Sequence, residues 1–137
     1  MKVANAENPT GDQIKAAIAR ATGKPICMVN LLKFKDKAVY ADGRPCDLTG
    51  REAYALYGKA VRELIEGFGG KFIFAGQVRG LLIGEVEELW DQVAIMQYPD
   101  MQAMADMMRS PDYLAIHVHR EAGLAGQLLI ETAGMSL

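Results

Sequence analysis

The polar residues that could do chemistry in this chain are few and scattered. His119-Arg120 is the most suggestive pair. An imidazole can act as a general base near neutral pH, and a guanidinium can hold a carboxylate or an oxyanion. Consecutive helical residues point about 100° apart, so the two need not serve one site. The alternative has His119 as a helix C-terminal partner and Arg120 as a surface or dimer-contact ion pair. Asp91, just after Trp90, could orient the His119 imidazole as an acid–base partner. Asn30 stands in the middle of an otherwise apolar run. An unsatisfied buried amide costs about 1–3 kcal/mol, so Asn30 either faces a ligand carbonyl or pairs with a neighbouring side chain or water.

Other candidates have plainer readings beside them. Tyr57 could line a binding cavity, or pack in the core with its hydroxyl satisfied at the edge, and Tyr98 and Tyr113 read the same way. Trp90 is a cavity wall or a packing anchor, and Asp91 is otherwise a turn or cap residue. His117 and His119 are two apart on a helix and do not face each other, so no metal site is expected from them. Cys27 and Cys46 alone lack the ligands for one. Cys27 reads as a small core residue and Cys46 as a free thiol in a polar loop. Glycine-rich stretches lack the context of a nucleotide loop, and no Gly-x-Ser-x-Gly elbow is present. No cofactor is expected.

The elements that must position these residues follow from spacing. Thr10-Gly11-Asp12-Gln13 is a capping box, followed by Ile14, Ala17, Ile18 and Ala21 on one helical face. Pro25 to Lys35 is apolar on both faces, the pattern of a central strand. Residues 36–48 form a loop with Asp42-Gly43 as a turn signal. Thr49-Gly50-Arg51-Glu52 is a second capping box, opening a long helix with Tyr54, Tyr57, Val61, Leu64, Ile65 and Phe68 at helical spacing. Lys71 to Ile83 predicts a glycine-interrupted strand, with Phe72, Phe74, Gly76 and Val78 on one face. Leu89 to Tyr98 predicts the next strand, its first neighbours Trp90 and Asp91 facing opposite sides. Asp100 caps a short helix bearing Met101, Met104, Met107 and Met108. Ser110-Pro111 starts another, carrying Tyr113, Ile116, His117 and Arg120 to about Gly123. Ala125 to Thr132 is a last strand.

Without the first helix, the order is strand, helix, strand, strand, helix, strand. That is an α+β, ferredoxin-like βαββαβ arrangement, with both helices on one face of an antiparallel sheet. We divide the chain into an N-terminal extension with one helix, residues 1–24, and a ferredoxin-like domain, residues 25–137. The first strand carries Met28, Leu32 and Phe34 on one face and Cys27, Val29 and Leu31 on the other. One of these apolar rows must look away from the helices. An apolar outer face predicts a homodimer in which two sheets pack face to face, with space between them for a small-molecule ligand.

Several ordered motifs resemble one family. They are Met28-Val29-Asn30-Leu31-Leu32-Lys33-Phe34, Tyr57-Gly58, Gly69-Gly70, Gly76, Leu82-Ile83-Gly84, Trp90-Asp91, Tyr98-Pro99, Ser110-Pro111-x-Tyr113 and His119-Arg120-x-Ala122-Gly123-Leu124. Across residues 25 to 132 this set resembles the domain-of-unknown-function family numbered thirteen-thirty, within the dimeric α/β-barrel superfamily. The resemblance implies a ferredoxin-like fold and a barrel-forming dimer, and it implies no reaction. The wider superfamily includes cofactor-free monooxygenases and isomerases. The expected function is therefore a small-molecule cavity protein, monooxygenase- or isomerase-like. The alternative is a non-catalytic binding or structural dimer module.

Composition is consistent with this. The chain has 137 residues, half of them hydrophobic and 23% charged. A chain of this length buries roughly two-thirds of its unfolded surface, enough for one core. Fifteen basic and 17 acidic residues leave a net charge of −2, without the basic surplus of a nucleic-acid binder. No apolar run is long enough for a membrane helix, and the polar start has no signal-peptide core. A cytoplasmic protein with no nucleic-acid or membrane partner is expected.

Overall fold

A computed structural model describes residues 2–135. Its elements are α1 (Gly11–Ala19), β1 (Ile26–Phe34), α2 (Gly50–Gly67), β2 (Lys71–Gln77), β3 (Gln92–Tyr98), α3 (Met101–Arg109), α4 (Pro111–Gly123) and β4 (Leu124–Thr132). The helix starts obey their caps. Thr10 and Thr49 each close a full capping box, and the Asp100 and Ser110 side chains accept from the backbone of Ala103 and Tyr113. These bonds satisfy donors that a helix start would otherwise leave bare.

The strands form one antiparallel sheet in the order β2-β3-β1-β4. β1 is central. Its Ile26, Met28, Leu32 and Phe34 are buried in one cluster with Tyr54, Tyr57, Val61 and Ile65 of α2 and Tyr113 of α4. The even positions of β1 therefore face the helices, and Cys27, Val29 and Leu31 face away. On that outer side the register sets Phe74, Ile95, Val29 and Ile130 in a row across all four strands. Phe74 and Ile130 are 52% and 43% exposed. Cys27 consequently lies on the outer face, half-buried, and not in the helix-covered core.

Two strands are shorter than their sequence patterns predict. β2 ends at Gln77, not Ile83, and Leu82 and Ile83 are 98% and 86% exposed. The pairing ends because β3 begins only at Gln92, leaving residues 78–91 as a connection held by Val78 N–H donating to the Asp91 carbonyl at 2.9 Å. Trp90 and Asp91 thus precede β3 and do not alternate on its faces. A bulge also sits between Phe72 and Phe74, so that Phe72 pairs with Met96 and Phe74 with the next residue, Ile95. One extra residue reverses the alternation. Phe72 lies under Arg62 of α2, its ring centroid 4.4 Å from the guanidinium carbon, while Phe74 faces outward. The expected shared face for these two phenylalanines is corrected accordingly.

The ends of α2 and α4 meet backbone to backbone. A Cβ on Gly50 would lie 2.1 Å from the Lys35 carbonyl oxygen, and one on Gly123 would lie 2.3 Å from the Gly50 carbonyl oxygen. Only glycine fits this crossing. Gly123→Ala should therefore force the two helices apart, costing about 2 kcal/mol or more. A melting-temperature drop of roughly 5–10 °C by circular dichroism would register it.

Candidate functional site

The helices do not press flat onto the sheet. Across the middle of its inner face the register places Ala75, Ala94, Asn30 and Leu129 side by side, and the first three are short. Above them α2 carries Gly58, where an added Cβ would meet nothing within 4 Å. The low floor and the missing side chain leave a cavity of about 570 Å³ between the sheet, α2, α3 and α4. It lies beneath the helices of the chain itself, on the opposite side of the sheet from the apolar outer face where ligand space was expected.

The walls are apolar, with Met28, Val61, Ile65, Phe72, Met96, Met104 and Met107 among them. Polar groups come from a few directions. From the floor, the Asn30 Oδ1 accepts from Gln127 Nε2 at 2.7 Å, and Asn30 Nδ2 donates to the Ala94 carbonyl at 3.1 Å. Arg120 of α4 donates to Gln127 Oε1 at 2.6 Å and to the backbone carbonyl of Glu7. Asn30, Gln127 and Arg120 thus form one hydrogen-bonded chain along the cavity. The Asn30 amide is satisfied by its neighbours, and its action is to fix which way Gln127 points.

On the helix side, the Tyr57 and Tyr113 hydroxyls meet at 3.0 Å. The rings of Tyr54, Tyr57, Tyr113 and His117 follow one another at centroid distances of 5.3, 6.0 and 5.7 Å. Burial pushes the Tyr54, Tyr57 and Tyr98 phenols well above their ordinary value, so they remain protonated. His117 is shifted the other way. Burial, and then the Arg120 charge, lower its pKa, against a raising effect from Glu121, whose Oε1 lies 3.1 Å from His117 Nδ1. The cavity therefore presents a neutral imidazole beside protonated phenols and a fixed guanidinium.

Of the residues expected from sequence, Asn30, Tyr57 and Arg120 line the cavity. His119, Asp91 and Trp90 are engaged elsewhere. His119 Nδ1 shares a 2.7 Å hydrogen bond with the Tyr40 hydroxyl, edge-on to that ring. Its position on α4 is two residues from His117 and therefore on another side of the helix. The Asp91 carboxylate accepts from the Phe34 backbone N–H at 2.9 Å and from Lys33 Nζ at 3.4 Å, tying the end of β1 to the start of β3. The structure does not bring His119 and Asp91 together. Trp90 Nε1 donates to Asn5 Oδ1 at 2.8 Å and so anchors the N-terminal segment. That segment continues through an Ala6–Gln127 bridge to Asn8 and Pro9, which line the cavity.

Of the remaining cavity residues, Tyr113 reads from the sequence as cavity or core, and His117 and Gln127 have no cavity role there. A signal for the first two was present. Tyr113, His117 and Arg120 fall at i, i+4 and i+7, one face of α4. Gln127 had none of its own, because only the pairing of Leu32 with Gln127 reveals that it shares the inner face with Asn30.

This arrangement, a four-stranded antiparallel sheet with helices over one face, is a ferredoxin-like fold. The chain belongs to the DUF1330 family, a domain of unknown function, which matches residues 38–133. A comparison with curated proteins finds no match. Among solved structures, a protein of unknown function from Rhodopseudomonas palustris is 34% identical, with a TM-score of 0.87, over 98% of this chain and 100% of that one. A dimeric ferredoxin-like protein of unknown function from Thermobifida fusca shares the fold at 18% identity and a TM-score of 0.53, covering 82% and 92% of the two chains. SnoaB, a cofactor-independent oxygenase from Streptomyces nogalater, does so at 16% and 0.51, covering 83% and 97%. No helix among the described residues is long and apolar enough to cross a membrane.

The lowered His117 pKa has a measurable consequence. An imidazole whose pKa is depressed on folding favours the folded state while neutral. Its contribution is whole above the unfolded value of about 6.5 and is lost as pH falls through it. An NMR titration should place His117 below an ordinary histidine. The urea midpoint of the wild type should fall from pH 7.5 to pH 5.5 by more than that of His117→Asn.

Proposed function

We propose that this protein binds a small, partly apolar molecule between the sheet and the helices of each protomer and catalyses a proton transfer on it. Isomerisation, by return of the proton to another carbon, or cofactor-free oxygenation, by addition of dioxygen, would follow from the resulting carbanion. The observation that carries this reading is the convergence, in one apolar cavity, of a depressed-pKa histidine with a guanidinium and a fixed amide. An imidazole whose pKa is lowered from the ordinary histidine value is unprotonated at pH 7 and free to accept a proton. His117, rather than His119, has that position. It would take a proton from a carbon or hydroxyl acidified by a neighbouring carbonyl. Arg120 and Gln127 would carry the negative charge that develops on the oxygen. The paired Tyr57 and Tyr113 hydroxyls would offer their one remaining proton as a hydrogen bond to a substrate oxygen. Asp91 and Trp90 act away from the reaction, as ties for β1 and the N-terminal segment. The fold of SnoaB agrees with oxygenation only at the level of architecture.

The test is hydrogen–deuterium exchange, which isomerase and oxygenase chemistry share. A panel of small β-diketones and hydroxynaphthoquinones in D₂O is followed by proton NMR. Catalysed exchange is expected with the wild type, and His117→Ala should lose about 10²–10⁴-fold of it. His119→Ala should keep it. Equal exchange by wild type and His117→Ala would remove the base. Ligand-induced melting shifts without any exchange would favour a non-catalytic binding module.

The protomer is also proposed to pair through the outer sheet face. The row Phe74, Ile95, Val29 and Ile130 is a continuous apolar strip, and two copies packed face to face would cover it. Light scattering should give twice the 14.9 kDa of the chain. Val29→Lys should give the single mass with the cavity side of the sheet unchanged.

A further inference from the structure

α1 poses a physical problem. Its capping box and its apolar stripe make it a well-specified amphipathic helix, yet none of its nine residues is buried. Ile14 is 49% and Ile18 65% exposed. A helix of this length is marginal unless its apolar face is covered. That face borders a second chamber of about 750 Å³, whose opposite wall is Met101, Ala105 and Met108 of α3. The chamber is continuous with the first cavity. Met28, Met104, Met108, Leu129, Gln127 and Arg120 line both.

Arg120 therefore stands where the first cavity opens into the second, still more apolar chamber. Among the described residues it forms no ion pair, and its acceptors are the Gln127 amide oxygen and the Glu7 carbonyl, both neutral. The carboxylate of Glu7 is not paired with it. The other two arginines of the second chamber are already neutralised, Arg20 by Glu131 at 2.6 Å and Arg109 by Asp106 at 3.0 Å. A half-buried guanidinium held only by neutral acceptors favours an anion, which gains charge-assisted hydrogen bonds there. Unbranched, polarisable methionines line the path beyond it and can adapt to a flexible chain.

We infer that the ligand is an amphiphilic carboxylate, its anionic end on Arg120 and its apolar chain in the second chamber beneath α1. This rests on the first cavity being a ligand site. The chain completes the cover that α1 lacks, so binding also docks the N-terminal helix. The head lies within reach of the cavity that holds His117, which places the chemistry at the carboxylate end of the molecule.

The experiment uses the single tryptophan as its reporter, because Trp90 is bonded to Asn5 of the segment that leads into α1. Octanoate, butyrate and 1-octanol are titrated against the full chain, following Trp90 emission and heat. Octanoate should bind at least tenfold tighter than either the short acid or the neutral chain. Ile18→Glu, on the exposed stripe of α1, should lower octanoate affinity at least tenfold and leave butyrate unchanged. Arg120→Gln should bring octanoate down to the level of 1-octanol, and Arg120→Lys should recover part of the loss. Equal binding of octanoate and 1-octanol to the wild type would overturn the anionic end, without any variant having to fold. Unchanged octanoate affinity in Ile18→Glu, with a halved mass in solution, would show that the chamber seats a second copy of the chain instead. Deuterium exchange on the diketone panel without octanoate binding would defeat this inference and leave the proton-transfer reading standing. Octanoate binding without exchange would do the reverse.

Discussion

The register of β1 between β3 and β4 governs most of what this fold can do. It sets Asn30 opposite Ala94 on one side and Leu129 on the other, with Ala75 one strand further out. Three short side chains in a row hold the floor of the cavity low. The same register puts Val29, Ile95 and Ile130 together on the outer face. A slip of one residue in β1 would exchange the two rows, filling the cavity with valine and leucine and presenting an amide to the outer face. Both the proposed ligand site and the proposed dimer surface therefore depend on one set of ladder hydrogen bonds.

The polar groups of the cavity are arranged by what they may not do. Tyrosines this deeply buried cannot ionise at neutral pH, and they serve as donors. Burial first, and then the Arg120 charge, keep the resting imidazole neutral, with its lone pair free. Gln127 cannot rotate freely, because Asn30 takes its donor end and Arg120 its acceptor end. In the proposed proton transfer, such preorganisation would remove the reorganisation that water demands as charge develops.

Much of the architecture was legible in the sequence because it is written in local signals. Capping boxes at Thr10 and Thr49, the Ser110-Pro111 start and the apolar run of β1 each announce an element from a few neighbouring residues. What was not legible depends on pairing. The bulge that turns Phe74 outward, the early end of β2 and the inward face of Gln127 follow from which strand lies alongside. His119 drew attention for its neighbour Arg120, although adjacency in sequence is the wrong measure on a helix. The spacing of Tyr113, His117 and Arg120 was the better guide, since it describes one face. Asp91 looked like an imidazole partner and instead secures the β1 backbone, a role visible only once the connection folds back on Phe34.

Gly58 gives the cavity a property of a different kind. It sits on α2 above the floor, with open space where a side chain would be. It takes no part in the hydrogen-bonded chain, the aromatic series or the helix crossing at Gly50. Enlarging this one position would shrink the space from above while leaving the polar groups in place, and alanine there would favour the helix. In the proposed function, the fold thus separates the size of the ligand from the chemistry done on it. Lineages built on it could drift from larger to smaller ligands in single steps, without rebuilding the machinery below.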